Sequence, residues 1–140
     1  MRTPSPEPGT TVCDVLVVDG ANVVGSRPDG WWRDREGAAA RLHARLVAAD
    51  LAPHVVLVLE GRARGGVAAG TSGRTSVVHA SGSGDDTIVD EAEAAAGSSS
   101  VVVVTADRGL AERVRSVGAR VVGPGHLLDL LPDRAGEGSG

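Results

Sequence analysis

The sequence predicts an α/β fold in which a mainly parallel sheet is covered by helices on both faces. Two observations predict it. Short runs rich in Val and Leu recur along the chain, and between them lie stretches whose apolar residues fall at helical spacing. Such alternation favours parallel pairing, because a parallel neighbour needs a crossover long enough to hold a helix. Length agrees, since 140 residues suit one domain with a sizeable core.

Residues 1 to 11, "MRTPSPEPGTT", are rich in Pro and Thr and read as a tail before a domain over residues 12 to 132. The first strand is "CDVLVV", Cys13 to Val18, a β-branched run suited to burial. It stops at Asp19, and Gly20, Ala21 and Asn22 make a turn. A loop with Pro28, Gly30, Trp31 and Trp32 leads to a helix, "EGAAARLHARLVAADL", with Ala39, Leu42, Leu46 and Ala49 along one face. The second strand, "HVVLVLEG" from His54, again meets an acid, Glu60. A loop bearing Gly and Arg separates it from a weaker run, "SVVHA". A helix then begins near Ser83, with acids in its first turn and Gly97 as its stop. "SSSVVVVTAD" holds the cleanest strand; "RGLAERVRSVGA" is helical up to Gly118. "RVVG" is a short strand, "GHLLDLLP" a short helix stopped by Pro132, and residues 133 to 140 a polar, Gly-rich tail.

Composition removes several classes of function. All 14 basic residues are Arg, so a P-loop lysine, a Schiff base and a lysine general base are excluded. "GANVVGSR" accordingly has P-loop glycine spacing without its Lys. A net charge of −4 argues against coating nucleic acid by general electrostatics, while leaving local Arg contacts open. Cys13 stands alone, and His43, His54, His79 and His126 have no ligand spacing, which leaves no Cys/His zinc site. No G-x-S-x-G elbow is present. No run approaches a membrane span and no signal-peptide core precedes the first strand, so a cytoplasmic protein without membrane contact is expected.

The acids are the informative feature. Right-handed crossovers put every parallel strand's C-terminal end on one edge, where open α/β sheets bind ligands. Asp19 and Asp107 both follow strands at that edge, and Asp85 and Asp86 open a helix that starts there. Asp90 lies one turn further along the same side. Crowded carboxylates raise one another's pKa unless positive charge intervenes. A donor set of oxygens alone suits Mg²⁺ or Mn²⁺, which activates water and stabilises charge on a phosphodiester. Asp19, Asp85, Asp86 and Asp107 are therefore the expected metal ligands and catalytic residues. Asn22 either orients Asp19 or a water, or is a turn Asn bonded to its own backbone. Glu60 either joins the metal shell or caps its strand and meets an Arg, the second being preferred, and Asp90 is expected to face Arg or solvent.

"SRPDGWWRDR", Ser26 to Arg35, follows the Asp19 turn directly. Arg27, Arg33 and Arg35 could contact phosphates there, and one Trp, taken as Trp31, could stack a base while the other covers the core. Arg62 and Arg64 lie in the Gly61–Gly84 loop, either a flexible basic flap for substrate or an ordinary solvated linker. Arg108, beside Asp107, offsets the acids or holds a phosphate.

"VVDGANVV", "GDDTIVDEA" and "VVTADRGL" resemble, in order, the three acidic motifs of the PIN-like NYN ribonuclease domains, the family of the YacP-type bacterial nucleases and the regnase nuclease domain. The resemblance spans roughly residues 13 to 130. It implies a Rossmann-like, three-layer PIN/NYN sandwich, endoribonuclease activity dependent on Mg²⁺ or Mn²⁺, and RNA as partner. Asp19 matches the acid after the first strand, Asn22 the polar residue of the DG-x-N turn, Asp85 and Asp86 the pair opening the middle helix, and Asp107 the acid of T-x-D. Glu60 departs from the Asp common among relatives, and the Lys and aromatic residues that help relatives hold RNA are missing. Two other functions fit the same acids: hydrolysis of a nucleotide pyrophosphate, and a non-catalytic module that binds RNA or protein. A homodimer is compatible with the sequence but follows from no motif.

Overall fold

The computed structural model describes residues 13–26 and 30–131, with the backbone alone for Trp31; the two tails and Arg27 lie outside the described residues. In chain order the elements are β1 (Val15–Asp19), α1 (Gly20–Val24), α2 (Arg35–Ala49), β2 (His54–Leu59), β3 (Gly70–Ser72), β4 (Thr75–His79), α3 (Gly84–Ala96), β5 (Val101–Val104), α4 (Arg108–Ser116), β6 (Arg120–Val122) and α5 (Pro124–Leu130). Short 3₁₀ turns occupy Trp31–Arg33 and Gly61–Gly66. One six-stranded sheet runs β3-β4-β2-β1-β5-β6, parallel throughout except for the β3–β4 pair.

Alternation along β1 explains the three layers. Leu16 and Val18 point into the core shared with Val23 of α1, Leu42 and Leu46 of α2, and Leu127 of α5. Val15 and Val17 point the other way, against Ile88 and Ala92 of α3 and Leu110 and Val114 of α4. A strand covered on both faces has no polar side, which is why β1 and β5 read as unbroken Val and Leu runs. The architecture is the three-layer, Rossmann-type α/β sandwich with a mainly parallel sheet expected from the sequence. Among the described residues no helix is long and apolar enough to cross a membrane.

Three local expectations change. The turn after Asp19 is instead the short helix α1, whose first residue, Gly20, is buried over β2. A Cβ on Gly20 would lie 2.7 Å from the Val58 carbonyl oxygen and 2.9 Å from Leu59 Cδ2. Backbone cannot yield there, so Gly20→Ala is expected to cost about 2 kcal/mol in chemical denaturation by overpacking. An unchanged midpoint would contradict so close an approach. The second change is β3, an exposed Gly-Thr-Ser segment with no apolar residue to signal a strand. The third concerns the Gly61–Gly84 loop, whose first part is packed against α2 rather than standing free. Gly66 passes so near the Glu36 backbone that a Cβ would overlap the Glu36 carbonyl oxygen. Arg64 fastens the same turn, donating from Nε to the Gly61 carbonyl at 3.1 Å and from Nη1 to the Ala80 carbonyl at 3.4 Å.

Candidate functional site

β1 lies between β2 and β5, so its C-terminal end is flanked by the ends of both neighbours. Asp19, its last residue, is only 5% exposed. One carboxylate oxygen, Oδ1, accepts the Asn22 backbone N–H at 3.3 Å and so caps α1. The other, Oδ2, accepts the hydroxyl of Thr105 at 2.9 Å. Thr105 follows β5 and is 2% exposed. Its oxygen also accepts the Asp107 N–H at 3.1 Å. A hydroxyl has one proton, and here that proton is directed to Asp19. Asp107 in turn caps α4, accepting the Leu110 N–H at 3.0 Å. Asn22 completes the lacing: its Oδ1 accepts the Ala106 N–H at 2.7 Å. Its side-chain partner is thus neither Asp19 nor its own turn but the loop across the sheet.

The electrostatics are those of acids without a counter-ion at their centre. Burial raises the Asp19 pKa first and foremost; the bonds from Thr105 and Asn22 oppose it, and the charges of Asp85 and Glu60 push it up further. Among the described residues no cationic group stands among the causes of this shift. Asp85 is also raised, by burial, then by Asp107 and Asp86, against a lowering by Arg113. Asp19, Glu60, Asp85, Asp86 and Asp107 therefore form one electrostatically linked set, reached from β1, β2, α3 and α4.

Glu60 behaves differently from the expected strand cap paired with Arg. Its Oε1 accepts the N–H of Gly84, the first residue of α3, at 3.1 Å. With Ser83 Oγ accepting the Asp85 N–H at 3.1 Å, the start of α3 is held at two points. The tandem acids separate: Asp85 is half-buried beside the set, while Asp86 is exposed and takes the guanidinium of Arg113 at 2.9 Å. Asp90, one turn on, is exposed. Among the described residues no three acids, histidines or cysteines lie close enough together to enclose a metal ion unaided.

The arginines frame this edge. Arg62 is exposed on the 3₁₀ turn after β2, and Arg108 is exposed as the first residue of α4. Arg33 is exposed on the turn before α2, its guanidinium 5.8 Å from the ring centre of Trp32. Trp32 is 52% exposed; the side chain of Trp31 and the whole of Arg27 fall outside the described residues.

Two solved structures share the arrangement of strands and helices that builds this edge. They are Rae1 (YacP) from Bacillus subtilis and a tryptophan-to-leucine mutant of it. Each is 21% identical with a TM-score of 0.60, over 83% of this chain and 73% of the mutant or 72% of the other Rae1 chain. The likeness to Rae1 is one of fold. No family model matches the sequence, and no curated protein does.

Within this Rae1-like frame, Thr105 is the residue that sequence reasoning passed over. The signal was present, because a Thr two residues before an acid at a strand end can bond both the acid's amide and a neighbouring strand. Thr105→Val keeps the shape and removes the hydroxyl. It should cost about 1–3 kcal/mol, since a buried carboxylate oxygen and an amide lose their partner. Because the hydroxyl lowers the Asp19 pKa, its loss should raise that pKa further. Any activity that needs ionised Asp19 should then show its acid limb at higher pH, and an unmoved pH profile would argue that Thr105 does not govern Asp19.

Proposed function

We propose that this chain is a divalent-metal-dependent phosphodiester hydrolase, an endoribonuclease acting on RNA. The observation that carries the reading is Asp19, a carboxylate buried at the C-terminal edge of the sheet, its pKa raised by that burial and by the charges of Asp85 and Glu60. A protein holds a carboxylate in that state at a cost in stability, which is what a ligand-binding or catalytic acid does. The Rae1-like fold and the order of the three acidic motifs support the same reading.

The donor set fits a hard cation, because every side chain offered is an oxygen ligand. Mg²⁺ takes one or two carboxylates and completes its shell with water and substrate oxygens, so it needs no closed protein cage. One or two of Asp19, Asp85 and Asp107 would hold it directly and the rest would act through its waters, with Asp86 at the rim tied to Arg113. When bound, such an ion polarises the phosphodiester and lowers the pKa of water. The chain's own contribution is positional. Thr105 fixes the rotamer of Asp19, Glu60 and Ser83 fix the start of α3, and Arg33, Arg62 and Arg108 meet phosphates on either side of the acids.

Cleavage of labelled single-stranded and structured RNA with Mn²⁺, repeated in EDTA and at rising salt, tests the proposal. Cleavage should stop in EDTA, and affinity should fall with a logarithmic salt slope of about −2 if three arginines meet phosphates of a single strand. RNA cleavage that persists in EDTA would overturn the assignment. Salt-indifferent hydrolysis of nucleotides in place of RNA would move the protein to the pyrophosphatase class.

A further inference from the structure

We infer that Asn22 acts on the substrate as a hydrogen-bond donor: its carboxamide N–H groups bind an oxygen of the phosphate that is cleaved. The inference rests on the proposed phosphodiester substrate and gives Asn22 a role in handling it.

The argument begins from the one bond the side chain makes. An amide N–H can only donate, so the atom 2.7 Å from the Ala106 nitrogen must be the carboxamide oxygen, which fixes which way the group is turned. That oxygen is held across the sheet by a short bond to the Ala106 N–H, which fixes the carboxamide and leaves the nitrogen as its donor end. What remains is Nδ2 with two N–H groups, on a half-buried residue between Asp19 and Ala106, with no partner among the described residues.

The surroundings say what those N–H groups serve. The centre of the edge is built from carboxylates, which repel a phosphate. The arginines serve the flanks of the site: Arg62 and Arg108 stand exposed at its rim and Arg33 lies beside Trp32, while Arg64 is bound to two backbone carbonyls and Arg113 to Asp86. Asn22 is thus a fixed neutral donor within the acidic centre. A donor held in place by the fold costs no reorganisation when charge builds on a phosphate oxygen. Fixing is supplied from both ends, by the Asn22 N–H on Asp19 and the Asn22 Oδ1 on Ala106.

The chain has one Asn and no Gln, so its ¹H–¹⁵N spectrum contains a single side-chain NH₂ pair, which needs no assignment. The probe is a short 2′-O-methyl oligoribonucleotide with Ca²⁺, which keeps the strand intact. That NH₂ pair is expected to shift together with backbone amides of the acidic edge. Edge amides that move while the NH₂ pair stays still would overturn the donor role and leave the RNA reading standing. A spectrum in which nothing moves would remove both.

Asn22→Asp supplies a second readout, because a carboxylate still accepts the Ala106 N–H while offering no donor. The loss of one preorganised donor should lower kcat by about 10²-fold, while the added carboxylate beside Asp19 should lower the melting temperature at neutral pH. The added charge favours the metal, so a fall in kcat would not come from metal loss. Wild-type kcat in Asn22→Asp would overturn the inference.

Discussion

Asp19→Asn is expected to lose RNA cleavage by at least about 10³-fold, the several kcal/mol of a metal-binding carboxylate, while making the protein harder to unfold at neutral pH. The two effects have one origin. Burial and the neighbouring acids raise the Asp19 pKa in the folded state, so folding prefers the protonated form. A group raised in this way contributes fully below its unfolded pKa, about 3.9 for Asp, and that contribution is lost as pH rises through the higher folded value. Wild-type stability should therefore decline over that window, with Asp85 adding to the decline in the same sense. Asn carries no charge to bury, can still accept the Asn22 N–H, and can donate to Thr105 Oγ1. Its advantage in melting temperature should thus widen from mildly acidic to neutral pH. Mn²⁺ should raise the melting temperature of the wild type by binding the folded state, and should do little for the variant. An Asn variant that melts lower at neutral pH, or cleaves at the wild-type rate, would remove Asp19 from the centre of the site.

Asp107 offers a cleaner separation of chemistry from structure. It is exposed, and its carboxylate already has a structural task in accepting the Leu110 N–H at the start of α4. Asn caps helices about as well as Asp, so Asp107→Asn should keep α4 intact, whereas Asp107→Ala should cost about 1 kcal/mol in denaturation. On the proposed function, cleavage should fall by about 10²–10³-fold in both, because both remove a charge from the proposed metal shell. If Asp107→Asn cleaves normally and only the Ala variant suffers, Asp107 is a helix cap and nothing more.

The large-scale plan was legible in the sequence for a plain reason: strands buried on both faces must be apolar along their buried length, and β1 up to Val18, β2 from Val55 and the whole of β5 are. The convergence of Asp19, Asp85 and Asp107 was legible too, because parallel topology alone carries strand ends and helix starts to one edge. What stayed hidden depends on side chains meeting across distant segments. Asn22 bonding Ala106 and Thr105 bonding Asp19 join residues 84 and 86 positions apart, and no local pattern announces such pairs. Glu60 looked like a partner for an arginine, yet the N–H groups at the start of α3 lie nearer and need an acceptor. β3 is polar and exposed, so it has no periodicity to read. The packing of Gly61–Gly66 on α2 depends on Gly66 having no side chain, a negative feature that is seen only once Glu36 is beside it.

The central place of β1 has a consequence for how the protein is made. β1 is the earliest strand among the described residues, but one of its two neighbours, β5, comes more than eighty residues later, and Asp14 and Ser100 clamp the two across a separation of 86. Contacts of such long sequence separation form late, after the loop between them has closed. Thr105, Ala106 and Asp107 arrive on the same late segment, so a chain still being synthesised has Asp19 without the groups that orient it. On the proposed function, the partly made enzyme cannot cut the message or the ribosome that is producing it.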